Sequence, residues 1–170
     1  MRAFFLPLLL VLSASLAHAD EYTEVNRLIG AKQFPEALAS AEKYLASKPR
    51  DPQMRFLKGV IQSETAHTAD AMETFSKITE DYPELPEPYN NLAVLHASQN
   101  QLDTARTALE MAVRINPAYA TAQENLGDIY VRLADRAYAK ALQLNPGNAG
   151  LPAKLALVQQ LQAPAPLKTP

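Results

Sequence analysis

The chain contains no cysteine. That excludes disulfide staples, thiolate metal sites and cysteine nucleophiles, so the fold must be held by its core alone. Basic charge is not in excess either: 16 Lys+Arg stand against 18 Asp+Glu, net −2. A nucleic-acid partner, which demands a dense cationic surface, is therefore not expected. Glycine is scarce, 5 in 170 residues, and none of it is arranged as a phosphate-cradling loop. Long apolar runs are missing. The main one, Ala3–Leu12, would span about 15 Å as a helix, against a hydrocarbon core of roughly 30 Å.

That run follows one cation, Arg2, and precedes a small-residue segment ending Ala17-His18-Ala19. The pattern predicts a signal peptide at 1–19, cleaved between Ala19 and Asp20. Its removal leaves 151 of the 170 positions; loss of Arg2 takes the 16 cations to 15 against 18 anions, net −3. The expectation is a periplasmic or secreted protein with no stable membrane anchor after cleavage. No cysteine follows the cleavage point, so lipid attachment there is not expected.

What the chain does have is a beat. Pro49, Pro83 and Pro117 recur at a constant interval of 34. Ala37, Ala71 and Ala105 keep the same interval, and so do Val25, Gly59, Ala93 and Gly127. Three columns in phase mean a repeat array. Within the third unit, Tyr89, Leu92, Leu95 and His96 recur at helical spacing, and Ala105, Leu109, Ala112 and Val113 form a second stripe. Each unit therefore reads as two antiparallel helices, with the proline resetting the chain direction.

These residues resemble the tetratricopeptide-repeat pattern, W-x2-L-G-x2-Y, then A-x3-F, then P. The third unit gives Tyr89-x2-Leu92-Ala93-x2-His96, Ala105-x3-Leu109 and Pro117; the second gives Gly59, Ala71-x3-Phe75 and Pro83. The first keeps Ala37, Tyr44 and Pro49, and no unit carries the tryptophan. The resemblance implies an all-α fold, a right-handed α-solenoid of antiparallel helix pairs. It places a solenoid over 20–162, with repeats at about 20–51, 52–85, 86–119 and 120–148.

The last repeat is short. From Gly59 to its closing Pro83 the step is 24, but from Gly127 to Pro146 only 19. Five residues that should hold the turn are gone, while apolar residues continue at spacings of 3 and 4 from Leu126 through Tyr130, Leu133, Ala137 and Ala141 to Leu144. The reading is a degenerate repeat whose two helices are fused. After the break Pro146–Gly150, Leu151–Leu161 predicts a capping helix, and the Pro/Ala-rich 163–170 a disordered tail.

Catalytic chemistry finds no foothold. His67 and His96 lie in different repeats with no second ligand a helical turn away. Ser63, Glu64 and His67 stand near one another, but solvated turn residues are the plainer reading, and His96 fills the column usually held by tyrosine. No enzyme activity, cofactor site or metal site is expected.

The resemblance also implies a binding groove lined by the first helix of each unit. Its columns hold Tyr22 and Asn26, then Gln53, Phe56, Val60 and Ser63, then Glu87, Asn90, Asn91 and Val94, then Glu124, Asn125 and Asp128. Some family members grip a partner's terminal carboxylate with lysine, arginine and asparagine there. Here Tyr22, Phe56, Leu57 and Asn91 stand in those positions and only Asn26 matches, so that clamp is not expected. A partner peptide or helix with apolar and amide contacts fits better, the partner being another envelope protein. A self-associating structural subunit stays open, because basic Lys48, Arg50, Arg55 and Lys58 surround one turn and acidic Glu80, Asp81, Glu84 and Glu87 the next. A small envelope enzyme or ligand carrier is a third reading, without a site to name. The export reading predicts that the intact mass of the exported protein begins at Asp20; an uncleaved Met1–Pro170 mass would contradict it.

Overall fold

A computed structural model describes the backbone of residues 12–162 and 167–169, with side chains from residue 21 onward. Residues 1–11, most of the expected signal peptide, and 163–166 and 170 of the expected tail lie outside the described residues. The described chain is all-α. In order, α1 is Leu12–Gly30, α2 Phe34–Ser47, α3 Pro52–Glu64, α4 Thr68–Asp81, α5 Pro86–Ser98, α6 Leu102–Ile115, α7 Ala120–Leu144 and α8 Leu151–Leu161. The chain divides into two compact units, Met1–Thr74 and Phe75–Pro170.

The hairpin turns share one chemistry. Lys32, Ala66 and Asn100 keep the interval of the repeat, and each adopts a left-handed backbone, with φ of 57°, 61° and 61°. Beside them Gln33 N–H donates to the Leu28 carbonyl, His67 N–H to Gln62 and Gln101 N–H to His96, all at 2.9 Å. This is the Schellman closure, in which the residue past the helix end turns left-handed and the chain recovers orphan carbonyls. None of the three is glycine, so each turn carries strain of about 1–2 kcal/mol that packing must offset. The turns between hairpins repeat as well: Lys48, Tyr82 and Asn116 donate to the carbonyls of Tyr44, Ile78 and Ala112. Proline then opens α3 and α5, at Pro52 and Pro86, where the missing N–H would have had no partner within the helix.

In the first unit α1 packs on α2, and α2 on α3. Val25, Ala37, Ala41, Met54 and Ile61 are fully buried there, with Leu28, Tyr44 and Leu57 nearly so. In the second, α5 packs on α6, α6 on α7 and α7 on α8, around Ala93, Ala105, Leu109, Ala112, Ala122 and Ile129. Alanine recurs where the backbones approach closely, so the period in the sequence is a period of contact.

The fourth hairpin does not exist. One helix, α7, runs 25 residues. Ala134, the next member of the left-handed column after Asn100, lies inside it. The closing turn reappears at Asn145, whose N–H donates to Ala141 at 2.9 Å. It comes five positions earlier than the beat set by Lys48, Tyr82 and Asn116 requires. The buried stripe differs from the one the spacing suggests. It runs through Ala122, Leu126 and Ile129, whereas Tyr130 and Leu144 are 48% and 73% exposed. With no second helix folded back, the face that would meet it stays open.

Gly127 shows the same thing. Its place in the small-residue column suggests a close helix crossing, yet a Cβ built there meets nothing within 4 Å. The rear of α7 is instead fastened by arginines. Arg132 donates to the Ala97 carbonyl at 3.0 Å and Arg136 to the Asn100 carbonyl at 3.4 Å, satisfying acceptors at the C-terminal end of α5, where cations are favoured. Two exchanges follow. Gly127→Ala removes a mid-helix glycine at no steric cost and should stabilise by roughly 0.5–1 kcal/mol. Ala66→Gly relieves a left-handed alanine and should stabilise by a similar amount, about 0.5–1 kcal/mol. Denaturant melts check both, and a destabilising Gly127→Ala would mean that a neighbour occupies that space.

Candidate functional site

The two units present different surfaces. In the first, Tyr22 is committed within the unit. Its hydroxyl donates to Asp51 Oδ2 at 2.6 Å and lies 2.9 Å from the Tyr44 hydroxyl, which itself donates to Asp51 Oδ2 at 3.2 Å. Asp51 Oδ1 accepts the Met54 N–H at 2.8 Å and so caps α3. Burial, then the bond to Asp51, pushes the Tyr22 phenol well above its ordinary range. Asn26 is exposed and turned back on its own helix, donating to the Tyr22 carbonyl at 2.8 Å. Phe56 and Val60 are half-buried on α3. Hence these four columns contain one structural lock, one self-bonded amide and two apolar side chains.

In the second unit Asn91 likewise bonds to its own helix, at the Glu87 carbonyl (2.9 Å). Val94 and Asp128 are half-buried, and Glu124 is exposed. Asn90 and Asn125 behave differently. Both are fully buried, and Asn125 Nδ2 donates to Asn90 Oδ1 at 2.8 Å, tying α7 to α5.

Over this pair lies the chain itself. The Lys168 backbone N–H donates to Asn125 Oδ1 at 2.8 Å, and its carbonyl accepts from Asn125 Nδ2 at 2.7 Å and from Asn90 Nδ2 at 3.1 Å. A primary amide offers an acceptor and a donor side by side, so Asn125 pairs with both main-chain groups of one residue. It does what a neighbouring β-strand residue would do. Leu167 packs against the core of the unit, and Lys168 Nζ meets Glu124 Oε1 at 2.6 Å. That ion pair is about half exposed on both sides, which makes it worth about 0–1 kcal/mol.

Neither Leu167 nor Lys168 is foreseen by reading 163–170 as tail. The available signal was small: a lone apolar–cationic pair in a Pro/Ala stretch. Asn125 stands in a foreseen column, but its special role depends on which way the amide turns. Among the described residues no cluster of three or more metal-ligating side chains occurs, and no helix is long and apolar enough to cross a membrane.

Antiparallel helix pairs recurring at one interval define the class as a helical-repeat protein. A tetratricopeptide-repeat model matches residues 22–86 and a TPR-repeat model residues 95–133. The chain is 37% identical over 73 residues to the chloroplastic tetratricopeptide repeat domain-containing protein PYG7 of Arabidopsis thaliana, covering 40% of this chain and 24% of that protein. It thus spans about a quarter of that relative's length. The solved structure of a thermophilic TPR protein from Thermus thermophilus superposes with a TM-score of 0.62 at 20% identity, over 85% of this chain and 82% of that one. The first TPR of Spaghetti, bound to the HSP90 peptide SRMEEVD, gives 0.62 at 16% identity, over 68% and 92%. The chain belongs to the tetratricopeptide-repeat family.

Glu87 also acts at a distance. Burial, then the negative charge of Glu87, pushes the Tyr119 phenol up to about 12. The unfolded ring loses its proton near 10. The stabilisation from this shift is therefore fully present below about pH 10 and lost as pH rises toward 12. Glu87→Gln should lower the Tyr119 pKa yet leave it above 10, because burial is the larger cause; an NMR titration of labelled tyrosine would show this. Titration of Tyr119 together with the exposed tyrosines would contradict it.

Proposed function

We propose that the protein is a non-catalytic interaction scaffold of the bacterial periplasm that holds an extended segment of another envelope protein. The carrying observation is the Asn125 amide, which pairs with both main-chain groups of Lys168 while Asn90 also donates to its carbonyl. Main-chain pairing of this kind supplies affinity with little dependence on sequence, and neighbouring side chains supply choice. Glu124 and Asp128 favour a basic partner residue. The half-buried Phe56 and Val60 offer apolar contact in the first unit. The periplasmic part of the reading is supported by the signal-like pattern of Met1–Ala19.

A second reading, a self-associating subunit, is favoured by one feature. Leu144, Leu157 and Leu161, on α7 and α8, are 73%, 61% and 68% exposed, as an array end awaiting another copy would be. Sedimentation decides this: a concentration-independent monomer contradicts self-assembly.

The scaffold reading is tested by crosslinked capture from periplasmic extract. Asn125→Ala should lose the partner, since the main-chain bonds have no substitute. Glu124→Lys should slow association, and less so at high salt. Phe56→Ala, tested separately, should cost about 2 kcal/mol if it anchors the contact as interface aromatics do. Recovery of the same proteins in equal amounts by wild type and all three folded variants would contradict the reading.

A further inference from the structure

The α5–α7 site already holds a segment of its own chain. Three features show that Leu167 and Lys168 engage it as a ligand would. The main chain of Lys168 is paired on both sides, through N–H and carbonyl, by a side chain on another helix. Leu167 packs on the apolar core to which Tyr89 and Leu133 also contribute. The Lys168 ammonium reaches past the amides to Glu124, which stands next to Asn125 on α7. An apolar anchor, a main-chain clasp and a charge partner thus act on two consecutive residues.

We propose that Leu167-Lys168 is a built-in ligand of this site, a competitor in cis that a partner must displace, and that the partner presents an extended segment with an apolar residue followed by lysine. The inference rests on the scaffold reading for the existence of a partner, but the docking of the segment stands apart from it. A clasp that reads main chain accepts many sequences, so a protein that carried it open would bind unselectively. Filling it in cis raises the threshold. A tethered segment acts as a competitor at an effective concentration that reaches millimolar for a short connection, so weak partners are excluded and only a better fit to the Leu167 and Glu124 contacts gains entry.

The experiment uses the full-length chain. Amide exchange by NMR reports docking directly: the Lys168 N–H should exchange slowly in wild type and quickly in Asn125→Ala. Exchange at the unstructured rate in wild type would overturn the proposal, whatever the capture experiment finds. Protection that grows with protein concentration would assign the occupant to a second copy and overturn the cis assignment. Slow exchange together with failed capture would instead place the fault in the scaffold reading.

Competition is then read with a fluorescein-labelled peptide, PAPLKTP, added in trans. Wild type should bind it weakly, and the full-length variant Leu167→Asp with Lys168→Glu, whose own segment is disabled, about tenfold or more tightly. Adding Asn125→Ala should abolish the gain, and adding Glu124→Lys should reduce it. Because Asn125 is buried, the exposed Glu124 serves as the control for misfolding. Equal binding by wild type and the released variant, or a gain that survives both second substitutions, would overturn the proposal.

Discussion

Two helices joined without a turn cannot fold back on each other, and most of what distinguishes the second unit depends on that constraint. Three hairpins close with a left-handed residue and a Schellman pair of bonds. At the fourth position the five residues that would do so are missing, and α7 continues straight through. Gly127, the small residue of its column, then has nothing to meet. Tyr130 stays half exposed, its hydroxyl donating to Glu110 Oε1, and Leu144 is largely open. Cohesion comes instead from Arg132 and Arg136 on the carbonyls at the end of α5, from α8 packed on α7, and from Leu167 on the core.

The repeat was legible because it is a property of size. Alanine at positions 37, 71 and 105 is needed wherever backbones approach, and all three are fully buried. Fusion was legible because a deletion shifts the phase of a period without breaking helical spacing. The left-handed column was not legible, since Lys32, Ala66 and Asn100 share no chemistry and the fold imposes the conformation on each. Nor could spacing separate asparagines that turn inward on their own helix, Asn26 and Asn91, from those that face out of it, Asn90 and Asn125. Composition alone hid Leu167 and Lys168, because a Pro/Ala stretch gives no reason to expect a docking place.

The contacts of Leu167 and Lys168 with this surface divide into two parts of different character. The amides of Asn90 and Asn125 pair with main chain and so supply binding that few sequences lack. The carboxylate of Glu124 and the apolar ground under Leu167 supply discrimination, each by a modest amount. The polar lock in the first unit, Tyr22 and Tyr44 on Asp51, does something else: it ties α1 to the start of α3 and gives the array a firm first hairpin. A chain without disulfides relies on such locks and on its alanine seams to keep its helices in register.

The single-helix nature of α7 is the central claim, and the absence of cysteine makes it directly measurable. Spin labels on cysteines placed at the exposed Gln123 and Gln143 report the distance between the two ends of the helix. A continuous helix rises about 1.5 Å per residue, which predicts a separation of about 30 Å between these two positions. A separation of roughly 10–15 Å, as antiparallel packed helices would give, would contradict it.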